Sequence, residues 1–124
     1  SKKHLMIIFI SACLIMPFFE TLVFQFSVIR LIQIFFKDVN EMLLVSLTVS
    51  TLLFSLAHLI GREFFDVLTR IPLGIALALV FLICDLRDYH PIVITYLFHF
   101  VWNISFTLVL PILAKRIDKK LSTD

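Results

Sequence analysis

Residues 5–36 read LMIIFISACLIMPFFETLVFQFSVIRLIQIFF, 32 residues in which only Glu20 and Arg30 carry a formal charge. As a straight helix at about 1.5 Å per residue this stretch would measure about 48 Å, well beyond a hydrocarbon core of about 30 Å. It is therefore either one kinked helix or two spans that turn at Met16-Pro17-Phe18. The turn would hold no Gly, Asn or Asp, and it would leave irregular backbone at membrane depth. Charge counting separates the two readings. One helix gives four spans, with Lys2, Lys3, Arg62, Arg70, Lys115, Arg116, Lys119 and Lys120 on one side, eight basic residues against three. Two helices give five against six, which is no bias. The positive-inside rule favours the single kinked helix, with both ends cytoplasmic.

The rest of the chain is segmented by charged and turn-forming clusters. An apolar run over 42–60 is closed by Gly61 and Arg62. A third span, 63–85, carries Glu63, Asp66 and Arg70 at helical spacing and then Pro72. After a polar connection, Pro91 suits the first turn of a last span over 92–114. The charged tail 115–124 is expected to fray in water. The expected fold is all-α, a polytopic membrane bundle of four to five transmembrane helices in a single domain, 1–124.

Composition agrees. The chain of 124 residues is 60% hydrophobic and 16% charged, against about 25% charged in soluble domains, and its mean hydropathy is +1.05. So little polar residue cannot cover the surface of a soluble fold. A net charge of +2 argues against a nucleic-acid partner, because phosphate tracking needs a basic surface. Cys13 and Cys84 both lie in apolar runs and read as small buried hydrophobes.

Within the spans, an ionisable residue costs about 2.5–3.5 kcal/mol on insertion scales, so each asks for a partner or a task. Glu20, His58 and His99 are such residues, and Asn103 lies one turn beyond His99 on the same face. Glu20 is 17 residues before Lys37, and His58 is 17 after Glu41. The short connection 37–40 makes these helices antiparallel neighbours, so equal counts put Glu20 and His58 at one depth. Ser46, Ser50, Thr51 and Ser55 lead toward His58 in a polar stripe that reads first as helix–helix glue. Counting does not place His99, because its distance from the nearer loop differs from that of His58. No cofactor is expected, although Glu20, His58 and His99 are also ligand types that suit zinc. His-Glu-x-x-His, Gly-x-Ser-x-Gly and Gly-rich phosphate loops are absent from the sequence.

These residues, read with their neighbours, resemble the CAAX protease and bacteriocin-processing (Abi) family of intramembrane endopeptidases. Its Glu-Glu-x-x-x-Arg motif is matched by Glu20-Thr21-Leu22-Val23-Phe24-Gln25, just after Pro17. Its Phe-x-x-x-His motif is matched by Phe54-Ser55-Leu56-Ala57-His58, and its His-x-x-x-Asn motif by His99-Phe100-Val101-Trp102-Asn103. Thr21 and Gln25 stand where the family commonly has Glu and Arg, an uncharged variant of the first motif. The resemblance implies proteolysis in the membrane with Glu20, His58, His99 and Asn103 as catalytic residues. Glu20 and His58 would activate water, and His99 and Asn103 would donate to the oxyanion. Gln25 would orient Glu20 or hold substrate backbone, with Thr21 beside it, and Phe54 would pack the His58 ring. The implied substrate is a membrane-associated peptide or protein cut near a terminus, a prenylated CAAX-type C-terminus or a leader peptide. The alternative is a non-catalytic immunity or scaffold protein that keeps these residues as a polar network. The expected setting is a bacterial inner membrane in contact with lipid, or the endoplasmic reticulum in a eukaryote.

Overall fold

The computed structural model describes residues 1–60 and 63–122. The expected span end at Gly61 and Arg62 lies outside the described residues. Four helices are long and apolar enough to cross a membrane: α1, Lys2–Phe35; α2, Val39–Ala57; α3, Phe64–Leu86; and α4, Pro91–Leu121. No strand occurs among the described residues. The fold is an all-α polytopic bundle. Helix α1 packs on α2, α2 on α3, α3 on α4, and α4 returns to α1.

Local chemistry sets the helix ends. The Asp38 side chain accepts a hydrogen bond from the Glu41 N–H at 3.0 Å and caps α2, satisfying a donor that the first turn leaves orphaned. Pro91 opens α4, where no N–H is needed. In the connection before it, Asp88 and His90 both adopt positive φ, 54° and 42°. Beyond residue 114 the chain is helical to Leu121. No Gly or Pro interrupts 115–121, and Lys119 and Lys120 in the last turn suit the negative end of the helix dipole.

Helix α1 is continuous through Met16-Pro17-Phe18, so 5–36 contains no turn between two spans. The backbone takes up Pro17 by widening before it, where Phe9–Ile15 is π-helical; a second π segment, Thr21–Ser27, follows. Helix α4 repeats the device, with a π segment over Ser105–Val109 just before Pro111. Proline has no N–H and its ring crowds the preceding turn, and a wider turn relieves the clash.

Two apolar clusters form the interior. Ile29, Ile32, Met42, Phe81 and Leu82 fill one end. Phe54, Leu73 and Leu77, flanked by Phe24, Phe98 and Trp102, fill the middle. At the first end Arg30 grips Asp85 with two hydrogen bonds of 2.6 and 3.1 Å, and Gln33 adds one at 2.8 Å. The Arg30 guanidinium also lies over the rings of Phe26 and Phe81, so α1 is tied to the end of α3. Gly74 lets α3 approach α2 closely. A Cβ there would meet Phe54 Cδ1 and Thr51 Cγ2 at 3.1 Å and the Thr51 Cα at 3.3 Å.

Candidate active site

Three helices bring Glu20, His58 and His99 together. The Nε2 of His58, from the end of α2, lies 3.4 Å from Glu20 Oε1. The Nε2 of His99, from α4, lies 3.3 Å from Glu20 Oε2. Both imidazoles thus converge on one carboxylate, each at its own oxygen. His99 reaches the depth of Glu20 although its loop count differs from that of His58.

The proton inventory follows from one further bond. His58 Nδ1 is 2.8 Å from the Phe54 carbonyl, and a carbonyl can only accept, so Nδ1 carries hydrogen. The Nε2 facing Glu20 then has a lone pair in the neutral ring. A proton held between that lone pair and the carboxylate would make the contact favourable. The Phe54 ring lies 4.9 Å from the His58 ring and 5.8 Å from that of His99, so this fully buried side chain wedges both imidazoles in place.

Asn103 does not meet Glu20 within hydrogen-bond reach. Its Nδ2 donates to the Ala12 carbonyl of α1 at 3.0 Å. That carbonyl is free for a physical reason. In the π segment the Met16 N–H bonds to the Ser11 carbonyl, and the next residue, Pro17, has no N–H to offer Ala12. Sequence spacing gave no sign of this bond, since it depends on the register shift before Pro17. An amide nitrogen has two hydrogens, so the second remains for other partners.

A cavity of about 250 Å³ opens beside this cluster, with Glu20, His58 and Asn103 in its wall. Ala12, Met16, Arg70 and Thr107 complete it. His99 does not line it and is 1% exposed, with Nε2 turned to Glu20. In this arrangement its Nε2 meets the Glu20 carboxylate. Thr21, Gln25 and Phe54 are also absent from the cavity wall. Gln25 makes no hydrogen bond to Glu20: both its amide atoms are buried without a partner among the described residues, as is the Thr21 hydroxyl. At i+5 from Glu20, within the π segment, Gln25 lies fully buried.

The serine–threonine stripe divides. Ser50 donates to the Phe24 carbonyl at 2.7 Å and joins α2 to α1, and Ser46 turns to Met42 Sδ. Thr51, Ser55 and, on α4, Thr95 keep unpartnered hydroxyls in the interior. Among the described residues no group of three or more His, Cys, Asp or Glu is arranged to hold a metal ion. Arg70 is the cavity residue the motifs did not flag. In sequence it shows only helical spacing with Glu63 and Asp66, and the packing of α3 reveals that it lines the cavity.

Comparison with known proteins adds one finding. The family model described as Type II CAAX prenyl endopeptidase Rce1-like matches residues 2–105. No curated protein and no solved structure matches.

Proposed function

Because the chain belongs to the Rce1-like type II CAAX prenyl endopeptidase family, we propose that this integral membrane protein hydrolyses a peptide bond near a substrate terminus with water activated at Glu20. The convergence of His58 and His99 on the two oxygens of Glu20 is the observation that carries the reading. Water in the cavity attacks the peptide carbonyl and gives its proton to Glu20. The leaving amine takes the proton on His58 Nε2. Transfer from Glu20 to His58 across their 3.4 Å contact then restores the starting pair. This division of labour between one acid and one base rests on a single proton shared by the pair. The separations of 3.3 and 3.4 Å exceed those of tight charge-assisted hydrogen bonds, and such contacts commonly shorten once substrate excludes water. Asn103, in the cavity wall, offers the second hydrogen of its Nδ2 to the oxyanion. His99 keeps the carboxylate aimed.

The proposed substrate is a prenylated CAAX-type C-terminus or a leader peptide, delivered within the lipid, with the basic ends of the protein cytoplasmic. Incubation of the reconstituted protein with such peptides in H₂¹⁸O tests the chemistry. Direct attack by water predicts one ¹⁸O in the new carboxylate in a single turnover and no trapped acyl-enzyme. A covalent intermediate on the protein would contradict it. A second reading, a non-catalytic scaffold, draws on Thr21 and Gln25, uncharged and unpartnered where the motif commonly has Glu and Arg. On that reading the wild-type protein would cleave none of these peptides, and substitutions in the cluster would weaken binding to a membrane partner.

A further inference from the structure

Arg70 lines the cavity of Glu20 and His58 and also an adjoining cavity of about 320 Å³. The second chamber is walled by Leu73, Trp102 and Phe106, with Thr69, Asn103 and Thr107 as its neutral polar groups. Arg70 is partly buried and, among the described residues, makes no hydrogen bond or ion pair. Asp66, one turn back on α3, and Glu20, across the cavity, form no ion pair with it. A partly buried guanidinium that lines two chambers without a protein partner among the described residues is placed to receive an anion.

Three features define that anion. The planar fork of arginine matches a carboxylate with two parallel hydrogen bonds. Among the described residues the second chamber has no acidic residue in its wall and no other cation, which suits a singly charged group better than a phosphate. Its aromatic and aliphatic walls fit the apolar side chain of the residue bearing the charge. Arg70 and Glu20 line one cavity. We propose that Arg70 binds the free α-carboxylate of the peptide substrate, on the C-terminal side of the bond attacked at Glu20. The proposal rests on the peptidase reading for the location of that bond, and Arg70 thereby sets how far from the C-terminus the cut falls.

The test uses the full chain in nanodiscs and one labelled prenylated peptide prepared as the free acid and as the carboxamide. Cleavage by the wild type and binding to Glu20→Gln are both measured. The expected result is at least a tenfold preference for the acid in each. Arg70→Gln, introduced into either background, brings the ratio to about one, and Arg70→Lys retains part of it. Equal handling of acid and amide by protein with Arg70 intact overturns the proposal, and that comparison needs no Arg70 variant to fold. A preference that survives Arg70→Gln overturns it, as does a loss that strikes acid and amide alike. If exchange of phosphatidylcholine for phosphatidylglycerol abolishes the preference, a lipid headgroup fills the site and the proposal falls. Preferential binding that Arg70→Gln removes, with no cleavage by any variant, refutes the peptidase reading and leaves the carboxylate site standing.

Discussion

The Ala12 carbonyl links a proline to a side chain on another helix: Pro17 leaves it without a main-chain donor, and Asn103 Nδ2 takes it at 3.0 Å. Asn103→Ala removes both this tie and a cavity donor. Its kcat is expected to fall by about 10²–10³, the scale of a lost oxyanion donor, while the protein still inserts; rates within twofold of wild type would refute the role. Phe54→Leu keeps the main-chain carbonyl that fixes His58 but thins the wedge behind both imidazoles. About 1–1.5 kcal/mol of stability should be lost, measurable as a lowered Tm in detergent, together with a drop in kcat. Counting residues from a short loop sufficed to put Glu20 and His58 at one depth, because antiparallel neighbours share the loop as origin. His99 escaped the same count, since α3 and α4 have unequal ends. Gln25 was legible as a motif position, but its isolation from Glu20 depends on a π register that hydrophobic periodicity does not encode.

Helix α3 contributes through what it lacks. Gly74 admits the Phe54 ring and the Thr51 side chain at 3.1 Å, and the Thr51 backbone cannot retreat as a flexible side chain would. Gly74→Ala should therefore cost about 1–3 kcal/mol as overpacking and displace Phe54 from the imidazoles, lowering both Tm and turnover. An unchanged Tm would show that α2 and α3 separate freely. At the opposite end, Asp85→Asn keeps the shape of the Arg30–Gln33 grip and removes its charge. With Arg30 43% exposed and Asp85 15%, the expected loss is about 1–2 kcal/mol, below that of a fully buried pair. Cleavage at the distant Glu20 should change little at temperatures where the protein stays folded. That grip was not legible in the sequence, where Arg30 and Asp85 belong to segments 55 residues apart. The single long first helix was legible, because a turn at Pro17 would have left unbonded backbone in lipid.

As a whole, the molecule surrounds one polar cluster with apolar bulk. Large side chains such as Leu31, Ile34 and Phe35 point outward, as lipid requires, while the interior holds, beside its two apolar clusters, the hydroxyls, Gln25 and the Glu20–His58–His99 group. If each of the four helices that are long and apolar enough to span crosses once, both ends of this chain lie on the same side of the membrane. Reporter tags fused at residues 1 and 124 should then show the same accessibility in sealed vesicles, and opposite accessibility would mean an odd number of crossings. The central claim is that the carboxylate held by two imidazoles performs the hydrolysis. Its most direct test is the cleavage rate of Glu20→Gln against wild type, reconstituted in the same lipid and matched for helicity by circular dichroism. A fall of at least 10³ is the predicted result, whereas a Glu20→Gln protein that cleaves at the wild-type rate would contradict the account.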